Sequence, residues 1–209
     1  MRKILLIICI LGAFSMMNAQ EKLQHGLLLG GGKGNISSPI DPSYIDGNGG
    51  HINGFYTNYL GNASLGYRIR INRIKVPKDF LDIDMNVNAK AWKATEWYRF
   101  ESSQIPEASG YGDFGMGGTS MMLCFSISST YNYRIFKGLN AGIGIAPTYF
   151  LENQDDRGLD IPLMVKVGYD FKFLEIGMNY KYGLLNTLKE DFLKSGKFRD
   201  WQINLFIPF

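Results

Sequence analysis

From about Gly61 to the C-terminus, apolar and polar positions alternate with a period of two, the signature of strands with one apolar face. Leu81, Ile83, Met85, Val87, Ala89 and Ala91 interleave with Asp82, Asp84, Asn86, Asn88 and Lys90. The same split recurs in Ala63 to Asn72, Met121 to Ile135, Ile143 to Tyr149, Asp160 to Phe171, Leu174 to Gly183 and Trp201 to Phe209. Seven strands follow from this pattern, and the glycine-rich stretch Leu23 to Gly32 supplies an eighth. An even count permits closure into a barrel, and segments of about 10 to 15 residues suit a tilted membrane crossing better than a sandwich strand of about 5 to 6.

Connection lengths alternate as well. Long segments at Lys33 to Asn62, Lys93 to Gly118, Glu152 to Gly158 and Leu185 to Phe198 are separated by short ones at Arg73 to Lys78, Lys137-Gly138 and Lys172-Phe173. Tight turns on one side and larger loops on the other characterise outer-membrane barrels. The pattern therefore predicts an all-β protein, an eight-stranded antiparallel up-and-down transmembrane β-barrel with periplasmic N- and C-termini. On that orientation Tyr133, Phe171 and Phe209 form a periplasmic aromatic girdle and Tyr149, Tyr182 and Trp201 an external one. Periodicity alone is also compatible with a soluble lipocalin-like barrel, in which the apolar face would line a cavity.

The N-terminus reads differently. Arg2 and Lys3 precede an apolar run from Ile4 to Phe14 and then Met17-Asn18-Ala19, which predicts a secretory signal peptide over 1–19 and a barrel domain over 20–209. No apolar run in the 209-residue chain reaches the roughly 18 residues that a membrane-spanning helix needs. Loss of Arg2 and Lys3 lowers the formal net charge from +3 to +1, which leaves no electrostatic case for nucleic acid. Of the two cysteines, Cys9 leaves with the signal, so Cys124 has no intramolecular partner and reads as a small apolar residue.

The polar face, read inward, gathers Arg68, Arg70, Lys90, Arg134, Lys166 and Lys181 against Asp82, Asp84, Asp160, Asp170 and Glu175. An eight-stranded barrel is just wide enough for side chains, so these charges should pair into a network that fills the lumen and leaves no diffusion pore. The glycines on this face, Gly66, Gly142, Gly144, Gly168, Gly177 and Gly183, leave room for long side chains. The first two loops carry Tyr44, Phe55, Tyr56, Tyr59, Trp97, Tyr98, Phe100, Tyr111 and Phe114, which would serve either recognition or a cap over the barrel mouth. Asp46-Gly47-Asn48-Gly49-Gly50-His51 lacks the ligand spacing of a calcium loop and reads as a turn, so no metal site and no cofactor is expected.

The last strand carries Gln202, Asn204, Ile207 and the terminal Phe209. In this, and in its architecture, the chain resembles the small eight-stranded outer-membrane barrel proteins, and its glycine and aromatic usage is similar to the outer-membrane β-barrel domain family of Bacteroidetes. Those four residues stand where that family carries its assembly signal, with Asn204 replacing the usual glycine. The resemblance implies outer-membrane localisation in a Gram-negative cell envelope, lipid as surroundings and the barrel assembly machinery as a biogenesis partner. Fold carries little about function. The expectation is an envelope barrel with a filled lumen, its external loops displayed for binding, adhesion or envelope integrity through an extracellular or envelope protein partner. Two alternatives come from other classes. One is an interfacial lipid-modifying enzyme, an acyltransferase or deacylase, using His51 with Asp113 or Ser109; Pro147 and Pro162, near the outer ends of neighbouring strands, would open lateral access. The other is an accessory barrel for protein export.

Overall fold

The computed structural model describes residues 21–37, 51–73, 78–100, 112–151, 158–187 and 196–209; for 21–22, 51–58, 94–100 and 112–117 the description covers the backbone. The strands are β1 (Glu21–Ser37), β2 (His51–Arg73), β3 (Asp79–Phe100), β4 (Gly112–Phe136), β5 (Leu139–Ile145), β6 (Thr148–Leu151), β7 (Leu159–Asp160), β8 (Leu163–Asp170), β9 (Glu175–Tyr182) and β10 (Lys197–Pro208). All pairings are antiparallel, β1 lies between β2 and β10, and the β3–β4 pairing completes the circuit. β5 with β6, and β7 with β8, are two halves of single staves, so the sheet is a ring of eight. Closure removes sheet edges and pairs the backbone within the ring, which lipid requires because it offers no hydrogen bonds.

The barrel is inside-out relative to a soluble one. Leu65, Val87, Leu123, Ile143, Val165, Met178 and Ile203 all face outward with between 46% and 69% of their surface exposed. Their alternates Arg68, Asp82, Asn88, Ser126, Lys166, Asn179 and Gln202 are buried in the lumen. A ligand-binding barrel in water would show the reverse, so the lipocalin-like arrangement is excluded by burial itself. Tyr133, Phe171 and Phe209 are exposed at the end that carries the turns, and Tyr149, Tyr182 and Trp201 toward the other. Gly26 pairs with Pro208, and the Phe209 amide donates to the His25 carbonyl at 3.0 Å, so both ends of the barrel domain lie with the short turns.

Three differences from the sequence expectation have physical causes. The first strand begins at Glu21, ahead of the apolar alternation, because it is held by the register Glu21↔Arg73 to the longer β2. β2, β3 and β4 run 23, 22 and 25 residues, so the two long connections contract to 38–50 and 101–111. At about 3.3 Å per residue and a tilt near 40°, such strands rise roughly 55 Å, about twice the ~25 Å apolar band of a small barrel. β9 has 8 residues and the β7/β8 stave runs from Leu159 to Asp170, rises of roughly 20 and 30 Å, so among the described residues the barrel has a tall side and a low side.

The third difference concerns the prolines. Pro147 and Pro162 lie at the breaks β5/β6 and β7/β8, inside neighbouring staves rather than at their ends. The Ala146 amide donates to Pro162 O at 2.9 Å, but Pro162 has no N–H to return the bond; the Thr148 hydroxyl donates to Ala146 O at 2.7 Å instead. Pro147 likewise accepts from the Ile127 amide at 3.0 Å without donating. The two seams that flank the β5/β6 stave are thus each thinned by one ladder donor, and a side chain patches one of them. Outward polarity makes a direct prediction: Val165→Arg, in the exposed apolar band of β8, should cost about 2–4 kcal/mol in urea titrations of the protein folded into vesicles. Val165→Leu should leave the midpoint nearly unchanged.

Candidate functional site

Two regions carry chemistry: the charged lumen and the wall formed by the upper β2, β3 and β4. The lumen network is written by register. Arg68 stands opposite Asp84 and Arg70 opposite Asp82, so each guanidinium meets a carboxylate directly across the β2–β3 ladder. Arg68 donates through Nε to Asp84 Oδ1 at 2.6 Å and through Nη2 to Oδ2 at 2.9 Å. Arg70 grips Asp82 in the same two-pronged way at 2.7 and 2.9 Å. Glu175, from the far side of the ring, accepts from Arg68 at 2.9 Å, Arg70 at 2.8 Å and Asn140 at 3.1 Å, and pairs with Lys166 at 2.7 Å. Lys166 also donates to Asp82 Oδ2 at 2.7 Å.

Three cations thus meet three carboxylates, all buried. Planar guanidinium groups suit this because they bond in the plane and stack on their faces. The Arg70 guanidinium lies 4.2 Å from the centre of the Phe80 ring and 5.2 Å from that of Phe206, and Arg68 lies 5.0 Å from Phe206. Stacking supplies contacts where water is absent.

A second cluster lies further from the turns. Lys90 Nζ donates to Asp200 Oδ2 at 2.5 Å and sits 4.5 Å over the Phe198 ring. Asp160 receives on one oxygen the backbone amides of Ile161, Leu184 and Leu185 at 2.8 to 3.1 Å, fixing the chain where β9 leaves the barrel. Lys90, Lys181, Asp160 and Asp200 edge a void of about 10 Å³, room for about one water. Next to them Ile36, Tyr59, Trp92, Met122, Cys124, Phe150 and Phe198 form an apolar cluster inside the barrel. Phe150 and Phe198 stack at 5.5 Å between centroids, and Trp92 meets Phe198 edge-on at 5.6 Å.

The expected lumen residues are largely brought together. Arg68, Arg70, Asp82, Asp84, Lys90, Asp160, Lys166, Glu175 and Lys181 are buried, whereas Arg134 and Asp170 sit half-buried at the turn-bearing rim. Asp200, absent from the expected set, is an essential member; its parity with Gln202 and Asn204 in β10 was the available signal, since that strand starts at Lys197 and not at Trp201. Gly66 and Gly142 make space for amides rather than charges: a Cβ at either would overlap Asn86 or Asn132. Tyr59 is a correction. Expected in an external loop, it is only 6% exposed, in the lumen's apolar cluster. A β-bulge between Tyr59 and Gly61 shifts the register and turns an outward position inward.

Backbone register places the remaining recognition candidates on the wall. Trp97 stands between Gly54 and Gly115, Tyr98 between Ile52 and Phe114, Phe55 opposite Glu96 and Tyr56 opposite Thr95. His51 pairs with Arg99, which pairs with Asp113, so the histidine and the carboxylate proposed from sequence occupy one register level two strands apart. Tyr44, Ser109 and Tyr111 lie outside the described residues. Among the described residues, β4 from Gly112 to Met122 pairs only with β3, its other edge meeting β6 first at Leu123. Among them, too, no group of three His, Cys, Asp or Glu side chains is arranged to hold a metal.

No protein-family model matches the chain, and comparison with curated proteins found no relative. Similar solved structures include Ail, the attachment invasion locus protein of Yersinia pestis, in complex with the heparin analogue sucrose octasulfate. That likeness has 10% identity, a TM-score of 0.38, and covers 90% of this chain and 99% of that one. The outer-membrane protease OmpT of Escherichia coli is similar at 10% identity and TM-score 0.34, over 90% of this chain and 96% of that one.

Two predictions follow from the lumen. Glu175→Ala leaves Arg68, Arg70 and Lys166 one carboxylate short and should cost about 3–5 kcal/mol in urea titration, because a buried charge loses its counter-charge. A lumen filled along its length should give no stepwise current in planar bilayers at moderate voltage.

Proposed function

We propose that this chain is an integral outer-membrane barrel whose lumen is a structural core and whose working surface is the projecting β2–β4 wall, held outside the cell for binding or adhesion. The observation that carries the reading is the mismatch of strand lengths. Strands of 22 to 25 residues extend far past what a bilayer needs, while among the described residues the opposite staves run little further than its apolar band. A rigid sheet raised above lipid presents groups at low conformational cost. Its aromatic residues Phe55, Tyr56, Trp97, Tyr98 and Phe114 are the types enriched where proteins recognise partners. Among the described residues the edge of β4 between Gly112 and Met122 is paired with β3 alone, which leaves main-chain donors and acceptors for an extended segment. On this reading the signal peptide over 1–19 directs export, the turns and both termini of the barrel lie in the periplasm, and Gln202, Asn204, Ile207 and Phe209 guide assembly.

Cysteine labelling on intact cells tests the orientation, since the native Cys124 thiol is buried and silent. A membrane-impermeant maleimide should label Thr119→Cys on intact cells and Lys137→Cys only after permeabilisation; the opposite pattern contradicts the reading. Function is tested by replacing residues 95–117 with Asn-Gly, which joins β3 to β4 through a tight turn at the pair Ala94↔Gly118. The shortened barrel should still shift on unboiled gels yet lose adhesion of displaying cells to immobilised matrix glycoproteins and glycosaminoglycans by tenfold or more. Unchanged adhesion would move the function away from the wall.

A further inference from the structure

The turn-bearing rim carries a feature that neither the lumen nor the wall uses. Lys78, Lys137 and Lys172 each occupy one of the three short turns, and all three side chains are exposed. The turns are laced together. The Arg134 amide donates to Lys78 O at 2.7 Å, and the Asp170 amide donates to Gly138 O at 2.9 Å. The lysines therefore form one arc across β3, β4, β5, β8 and β9, with neighbouring turns about 10 Å apart at two strand spacings.

The arc makes no direct ion pair. Among the described residues none of these lysines forms an ion pair with a carboxylate. Two carboxylates nearby offset part of the charge but turn their oxygens to neutral donors: Asp79 is buried and accepts from the Tyr131 hydroxyl, and Asp170 Oδ1 accepts the Lys172 amide at 2.9 Å. Exposed Arg73 lies close to Lys78 in the chain and has Glu21 opposite it in the β1–β2 register, so the charge balance of the rim stays with the three lysines.

Directly beneath lies an aromatic shelf. Tyr133, Phe136, Phe171 and Phe173 are 44% to 72% exposed. Lys78 Nζ sits 5.9 Å from the Tyr133 ring centre and Lys137 Nζ 6.0 Å from that of Phe136. These contacts hold ammonium groups at the level where rings meet the lipid interface. Lys172 adopts φ 76°, a left-handed conformation that disfavours side chains, while the neighbouring turn fills its own left-handed position, φ 89°, with Gly138. A lysine thus stands where turn geometry favours glycine.

We propose that this arc is a docking site for the headgroups of anionic glycerophospholipids in the adjoining leaflet, with phosphates between the lysines and acyl chains along the exposed aromatic and aliphatic staves. Free phosphate would satisfy the ammonium groups alone; the aromatic shelf beneath them selects the lipid. The inference stands on the barrel's lipid-facing surface and is independent of what the wall binds.

Native mass spectrometry of the detergent-refolded protein, offered equal phosphatidylglycerol and phosphatidylcholine, tests it. The protein should retain phosphatidylglycerol preferentially, and K78Q/K137Q/K172Q should cut that preference at least tenfold, given roughly fivefold per lysine near an anionic surface. K78R/K137R/K172R should keep it, and both variants should still migrate as folded barrels on unboiled gels. Equal retention of both lipids, or an unchanged preference in the glutamine variant, would overturn the proposal. Complete displacement of phosphatidylglycerol by millimolar inorganic phosphate would mark a phosphate site instead and would also overturn it.

Discussion

Hydrogen bonds and charges inside this protein have no water to fall back on, and most of its architecture follows from that constraint. The staves must close on one another because lipid cannot satisfy a backbone edge. Once closed with apolar residues outward, the same alternation drives the alternate polar side chains of the staves inward, so the lumen must neutralise itself. Arg68, Arg70 and Lys166 against Asp82, Asp84 and Glu175 accomplish this with short, direct contacts, and Phe80 and Phe206 fill the space that remains around the guanidinium groups. Ion pairs in such a core specify the ring more than they stabilise it, since each member is tolerable only with its partner in place.

That dependence links distant parts of the chain. Glu175 begins β9, yet its partners lie on β2, β5 and β8, so the turn before β9 and the β2–β3 register must both be correct before the network is complete. Further up the lumen, polar pairing gives way to Tyr59, Trp92, Phe150 and Phe198. The barrel therefore has two cores in series, one ionic and one apolar. Among the described residues both are packed with buried side chains, which directs function to the surfaces at the two ends.

Much of this was legible in the sequence. Period-two alternation in β3, β4, β8, β9 and β10 assigned faces correctly, because a strand buried on one side only must alternate. Most charges of the lumen follow from parity alone. What was not legible depended on events between strands. The bulge at Tyr59 reverses parity locally and has no composition signal beyond Gly61. Asp200 falls between the connection from Leu185 to Phe198 and the alternation from Trp201 to Phe209, because the apolar Phe198 shares its inward face and blurs the parity at the start of β10. The wall was read as loop because Gly54, Gly115, Gly117 and Gly118 interrupt the pattern, and above the membrane neither face is held to a uniform polarity. Pro147 and Pro162 are visible in the sequence, but the placement of Pro162 opposite Ala146, with Thr148 replacing the lost donor, and of Pro147 against Ile127 of β4 emerges only from the register.

The central claim, lipid outside and a dry polar interior, is tested most directly by nitroxide scanning of residues 163–170 in reconstituted vesicles. Collision rates with oxygen, which partitions into lipid, should alternate with period two, high at Leu163, Val165, Val167 and Tyr169 and low at the positions between, with little access to a water-soluble relaxer at either set. High access of the water-soluble relaxer at Val165 and Val167 would contradict the account.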